Sequence, residues 1–428
     1  HERPVLAAQE PQLVVHQPVD AMRGGDGLPD AVAEDVRRVM TEVPVYRGDT
    51  ENHWTMHYAA LLLATQTWPE TSASRWYAGR TTQELYEEAS EWLFHWARLT
   101  ATKGQGEFDS PNYLFMYVMP MLFLHEFAKE PDVRQLAGMT LDLLLADYFT
   151  ESLDGAYCGG HSRVIDAEVQ KTRANKVSVL HTLYAGGIPL PKSFTSWALF
   201  CALSSYRPPA LLERIANHRD KPFVHTEVKR VRNVIRFDER LSPPVYKTDY
   251  ATRTYVLGSL QGGILQPIQQ HTWDVTWTGS AQNSTLFTVH PAVSARELAM
   301  FFPEEIHGLT RTITAQKGSY ASPDKLVSAS AFEKVFQYEN VLLALYQVPR
   351  GETFGHVDAY VPDCLEWSEE AGWMFGRDGT FHVALFPCRT GEWRPDDGFR
   401  RYRCPADRNG FVVVAPSGGA QTSFDAFR

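Results

Sequence analysis

The spacing of apolar residues changes once along this chain, near residue 225, and that change limits the fold more than any other feature. Upstream, apolar residues recur at helical spacing. Downstream, they alternate in short runs broken by Gly, Pro, Asn and Asp. Helices bury a stripe and strands bury a face, so one switch of period implies two kinds of packed layer. A chain of 428 residues also exceeds one ordinary core. The expectation is an α+β multidomain protein. An N-terminal incomplete (α/α) toroid spans residues 1–225, and a C-terminal antiparallel β-sandwich spans 226–428.

The spacing predicts helices over 30–43, 49–68, 81–99, 109–128, 133–148, 165–184 and 193–205, with a short one after Pro209. Thr50 and Asp109 are the expected caps of the second and fourth. Helical hairpins of this length with short connections suit a toroid or a bundle. Strands are expected over 224–228, 234–237, 252–257, 272–277, 285–290, 309–316, 331–337, 341–346, 357–360, 373–377, 381–386 and 410–415.

The formal charge is −10, with no long basic run, so a nucleic-acid partner is not expected. No run of about 18 apolar residues occurs, so no membrane span is expected either. The five cysteines show no Cys-x-x-Cys spacing, which argues against a zinc knuckle, and Cys388 with Cys404 is a candidate disulfide if the protein is exported. The first residue is His1, which fits removal of a signal peptide and a secreted or periplasmic location. Aromatic residues make up 12 % of the chain, enough either to line a sugar cleft or to fill a large core.

Four clusters carry candidate chemistry. Glu51-Asn52-His53-Trp54 is a polar entry to an otherwise apolar helix, with His57 one turn beyond His53. Helix capping accounts for Glu51, and the His53–His57 spacing is also that of a metal pair lacking a third ligand. The second is a glycine loop, Gly104 to Tyr113, which carries Glu107, Asp109 and Tyr113; capping explains Asp109 but not the other two. The third, Tyr157-Cys158-Gly159-Gly160-His161-Ser162-Arg163, exposes His161 and Arg163 on a tight turn, with Asn175, His181 and Tyr184 following. The fourth is Gln269-Gln270-His271-Thr272-Trp273, with Trp277 beyond it. His271, Trp273 and Trp277 share one strand face, which a sandwich core explains for the tryptophans.

In this order, the clusters resemble those of polysaccharide lyases built from an (α/α) toroid and an antiparallel β-domain, the heparinase II/III-like and alginate-lyase-like group. Asn52-His53 with Trp54 resembles their Asn-His pair on an inner toroid helix. The stretch from Tyr255-Val256-Leu257-Gly258-Ser259 to Gln270-His271-Thr272-Trp273 resembles the opening of their β-domain. The chain departs from the pattern at Glu51, where an Asn is usual, and the zinc ligands of some relatives have no counterpart.

The resemblance implies β-elimination on a uronic-acid-containing polysaccharide or oligosaccharide. Such a site must neutralise the uronate carboxylate, remove the C5 proton and protonate the leaving O4. Asn52, His53 and Arg163 are donors for the carboxylate, His161 or Tyr113 the base, and Tyr184 or Tyr113 the acid. Trp54, Glu107, Asp109, Asn175, His181 and His271 complete the expected substrate contacts. No cofactor or metal is required if protein donors neutralise the carboxylate. Two other readings stay open: an (α/α)-toroid glycoside hydrolase using Glu51, Glu107 and Asp109, and a non-catalytic glycan-binding protein.

Overall fold

A computed structural model describes residues 29–45, 47, 50–170, 173, 175–189, 197–230, 244–262, 270–279, 281–292, 322–417 and 423–428. The strands expected over 234–237 and 309–316 lie outside these residues. Helices occupy the first half of the chain and antiparallel sheets the second, as the change of period predicts. Spatially the chain forms two compact units that are discontinuous in sequence. One comprises residues 1–104, 113–145 and 195–209; the other comprises 105–112, 146–194 and 210–428.

The first unit is helical. Its elements are α1 (Asp30–Glu42), α2 (Glu51–Thr67), α3 (Thr82–Lys103), α4 (Leu114–Phe127), the start of α5 (Pro131–Glu151) and α8 (Trp197–Leu203). Helix α2 packs against α3 and α4, and α4 packs against α8. Both α2 and α4 are apolar almost all round, which suits helices covered on every side. A capping box starts α3, where Thr81 and Glu84 satisfy each other's backbone N–H groups.

Three helix expectations are corrected. Thr50 occupies the N-cap position of α2, but its side chain makes no capping bond. Asp109 does not cap α4, which begins five residues later; the backbone at Asp109 is left-handed (φ 53°), and the chain stays in turns up to Tyr113. The single helix expected over 165–184 is instead two short ones, α6 (Asp166–Gln170) and α7 (Ser178–Tyr184).

The second unit contains the end of α5, a small hairpin of β1 (Ser152–Leu153) and β2 (Ala156–Tyr157), helices α6, α7 and α9 (Ala210–Asn217), and all remaining strands. These are β3 (Phe223–Lys229), β4 (Val245–Ala251), β5 (Tyr255–Gly262), β6 (Trp273–Trp277), β7 (Thr285–Val289), β8 (Glu333–Tyr338), β9 (Val341–Tyr346), β10 (His356–Pro362), β11 (Glu366–Glu370), β12 (Trp373–Asp378), β13 (Phe381–Pro387), β14 (Glu392–Asp396), β15 (Phe399–Pro405) and β16 (Asn409–Val414). An eight-stranded sheet runs β14-β15-β10-β7-β6-β5-β4-β3, and a six-stranded sheet runs β11-β12-β13-β16-β9-β8. A terminal helix, α10 (Phe424–Phe427), follows.

The two sheets share one hydrophobic core. Leu257, Trp273, Val275 and Trp277 enter it from the larger sheet, and Leu342, Val383, Leu385 and Phe411 from the smaller. Trp277 stacks on Phe381 with ring centroids 4.4 Å apart. The central strands β5 and β6 are buried on both faces. Val256, on the face of β5 opposite Leu257, packs with Leu153, Ala156 and Cys158 around the small hairpin.

The strand expected over 252–257 starts instead at Tyr255, because Thr252 Oγ1 accepts bonds from the Thr254 and Tyr255 amides and turns the chain. Neither Cys388 nor Cys404 is in a disulfide. No described helix is long and apolar enough to cross a membrane.

Candidate functional site

The expected site residues divide between the two units. Asn52, His53, Trp54 and Tyr113 lie in the first. Glu107, Asp109, His161, Arg163, Asn175, His181, Tyr184 and His271 lie in the second.

In the first unit, the opening turn of α2 presents two kinds of residue. Glu51 and Asn52 point inward and are buried, and Trp96 Nε1 of α3 donates to Glu51 Oε1 at 2.7 Å. His53, Trp54 and His57 remain partly exposed. The Arg47 guanidinium lies 4.2 Å from the Trp54 ring centroid and donates to the Tyr58 hydroxyl at 2.9 Å. Tyr58 OH in turn donates to Glu88 at 3.1 Å. A row of rings backs this group: Tyr58 on Trp92 (4.9 Å), Trp92 on Trp96 (6.2 Å) and Trp96 on Tyr117 (5.6 Å). Burial, and then the positive charge of Arg47, push the His57 imidazole down to about 4. It is therefore a neutral base at physiological pH. Tyr113 sits at the N-cap position of α4 and is half-buried.

Of the expected residues in the second unit, Asp109 enters a buried ionic network, and the others take separate partners. Asp109 Oδ1 accepts from Lys229 at 2.8 Å, and Asp109 Oδ2 accepts from Lys247 at 2.9 Å. Lys229 also reaches Asp147 (2.7 Å), Glu227 (2.5 Å) and Glu151 (3.6 Å). Lys247 reaches Glu151 (2.5 Å) and Asp249 (3.8 Å).

Local sequence makes this arrangement. Asp147 and Glu151 are one helical turn apart on α5. His225, Glu227 and Lys229 alternate along β3, and Asp249 and Lys247, the ladder partners of His225 and Glu227, alternate along β4. Asp109, Asp147, Glu151 and Glu227 bring carboxylate oxygens within 4.8 Å of one another, a grouping that resembles a cation site. The cation against all four of them is the Lys229 ammonium.

Negative charge exceeds positive in this interior. Burial opposes ionisation of Asp109, but Lys229 and Lys247 outweigh it and hold that carboxyl low. Burial wins at Asp147 and Glu151, which are raised well above the carboxylate range, and at Asp249, pushed up to about 7. Burial acts to lower the two lysines, yet their carboxylate partners raise both, so each stays charged.

Beside this network, His161 and His271 pair through reciprocal backbone bonds of 2.8 and 2.9 Å, and their rings stack at 5.9 Å. His271 Nε2 lies 3.1 Å from Asp274 Oδ2. Tyr157 OH donates to Asp109, and its ring meets His161 edge-on. His161 is only 3 % exposed, and burial followed by the charge of Lys247 pushes it down to about 3. Arg163 Nε pairs with the buried Glu107 at 3.2 Å, and Ser110 Oγ donates to the Arg163 carbonyl.

His181 is hydrogen-bonded to Asn217 at 3.2 Å and meets Phe149 edge-on. Asn175 is buried, and its carbonyl accepts from the Ser178 amide just before α7; Tyr184 is buried at the end of that helix.

Sequence reading missed Arg47, Asp147, Glu151, Glu227, Lys229, Lys247 and Asp249. The available signal was charge at matching periods: an acidic i, i+4 pair at a helix end and alternating acidic and basic residues on two strands that pair. No protein-family model and no curated protein sequence matches this chain.

Proposed function

We propose that this protein is a polysaccharide lyase that cleaves a uronic-acid-containing glycan by β-elimination. The helical hairpins of the first unit are read as part of an (α/α) toroid, and the two sheets of the second as the β-sandwich of such an enzyme. One observation carries the reading. At the opening of α2, a guanidinium, a partly exposed indole and an imidazole whose protonation is opposed by burial and by Arg47 stand together at Arg47, Trp54 and His57. An indole suits the apolar face of a sugar ring, and a cation beside it suits a carboxylate. Neutralising that carboxylate stabilises the charge that develops when C5 loses its proton.

Arg47 and His53 are assigned to the uronate carboxylate, with Asn52 as a buried donor behind them. His57 is assigned as the base, in place of His161, which is enclosed by Tyr157 and His271. Tyr113 is assigned as the acid toward O4. Hydrolysis is the weaker reading, because the carboxylates it needs are engaged: Glu51 by Trp96, Glu107 by Arg163, and Asp109 by two lysines.

Incubation with glucuronate-, iduronate-, mannuronate- and galacturonate-containing polymers is expected to release an unsaturated product that absorbs in the ultraviolet. His57→Gln should lower kcat by roughly 10²- to 10⁴-fold, the usual contribution of a positioned base. Arg47→Ala should chiefly raise KM. New reducing ends without ultraviolet absorbance would replace elimination with hydrolysis.

A further inference from the structure

Between β5 and β8 the second unit holds a cavity of about 310 Å³, at the lower end of the range of small-molecule sites. Its lining is mixed. Val245, Leu260 and Val335 supply apolar groups, and Gln270, Thr272, Ser330, Glu333 and Lys334 supply polar ones. The motif just before β6 explains the placement. Residues alternate there, so Gln270 and Thr272 face the cavity while His271 turns to His161.

Most of the polar lining is already organised. Glu333 accepts from Tyr346 OH at 2.6 Å and from Thr272 Oγ1 at 3.1 Å. Ser330 Oγ bonds His290 Nδ1 at 2.7 Å. Gln270 is the exception. It is 4 % exposed, yet its Oε1 accepts no hydrogen bond from any described residue. An amide oxygen buried without a donor is destabilising, so it marks a place where a ligand donor fits.

We infer that this cavity binds one neutral, hydroxyl-rich ring, such as a single uncharged sugar residue, with a hydroxyl donating to Gln270 Oε1 and the ring's apolar face against Leu260 and Val335. A hydroxyl both donates and accepts, which matches a lining that contains an amide, a threonine and a carboxyl group. Burial pushes Glu333 up to about 7, against the hydrogen bonds from Tyr346 and Thr272, so it can also donate to a ligand. The one cation among the lining residues, Lys334, is exposed to solvent, so a ring carboxylate would give up its hydration for a single screened ammonium, which favours a neutral ring here. The site does not depend on the lyase reading, since all its residues belong to the second unit.

The test is calorimetric titration of the full chain with methyl glucoside, methyl galactoside, methyl mannoside and methyl glucuronide. At least one neutral glycoside is expected to bind with one-to-one stoichiometry, and the glucuronide at least tenfold more weakly. Gln270→Leu should weaken the neutral ligand tenfold or more, with the far-ultraviolet dichroism unchanged. If that variant fails to fold, crystals of the unmodified chain soaked with the glycoside must show the ring against Leu260 and Gln270. Absence of neutral-glycoside binding, equal binding by the variant, or a ring located elsewhere overturns the assignment. Ultraviolet product formation from uronate polymers is read separately, so loss of one result leaves the other standing.

Discussion

Asp249 carries a carboxyl group that the interior barely tolerates. It is fully buried, accepts no hydrogen bond from any described residue, and has Lys247 at 3.8 Å as its only ammonium partner among them. Burial raises its carboxyl from the ordinary 3.8 to about 7, and Lys247 offsets only part of that. Between these values the unfolded chain has released the proton and the folded chain has kept it. Folding stability therefore falls as pH rises through that window, by about 1.4 kcal/mol per pH unit, and levels off above it. Asp249→Asn removes this titration. The variant should unfold at a higher temperature than the unmodified chain at pH 8, and the advantage should vanish near pH 4. An equal difference in Tm at both pH values would show that packing, not ionisation, sets the effect. Nothing in the sequence around Asp249 distinguishes it from a surface aspartate; its burial appears only once β4 is packed in the fold.

At the scale of elements, the legible parts were those whose burial is one-sided or complete. Helix α3 shows its stripe of Leu85, Ala89, Trp92, Leu93 and Trp96, and α2 its apolar run from Ala59 to Ala64. The strands that escaped notice were β4, β11, β14, β15 and the two-residue β1 and β2. Strands β11 and β14 each lie at one edge of their sheet and carry mostly charged residues, as exposed edges do, and β15 beside β14 carries Arg400, Arg401 and Arg403. Strand β4 carries Lys247 and Asp249 on its inward face, so its alternation points the wrong way for an apolar core. Gly258 on β5 marks where backbone meets backbone. A Cβ there would lie 2.7 Å from Gly159 Cα and overlap the Asp249 carboxylate. Gly258→Ala should cost about 1–3 kcal/mol in chemical denaturation, the range for overpacking. Gly355→Ala is the control, since nothing lies within 4 Å of its added methyl group. Comparable losses in the two variants would refute the close approach as the cause.

For the whole molecule, the sequence locates where strands replace helices but not which helices belong with the strands. Residues 105–112 and 146–194 share a compact unit with the sheets, and in it Asp109, Asp147 and Glu151 accept hydrogen bonds from Lys229 and Lys247. That dependence is invisible along the chain: Asp109 and Lys247 are 138 residues apart. A fragment of residues 218–428 retains every strand from β3 to β16 yet lacks those three carboxylates and the small hairpin against β5. Lys229 keeps Glu227 and Lys247 keeps Asp249, but both lose Asp109, the ionised carboxylate they share, and removing one partner of a buried pair already costs about 3–5 kcal/mol. Two such losses rival the whole stability of a typical domain, about 5–15 kcal/mol. The fragment should therefore lack a cooperative thermal transition and near-ultraviolet dichroism, both of which the full chain should show. Restoring neutrality with Lys229→Met and Lys247→Met in the fragment should recover part of the transition, because an apolar side chain needs no counter-ion. A fragment that unfolds cooperatively without those changes would mean that the sheets stand without their acidic helices, and that the ionic network serves something other than the fold.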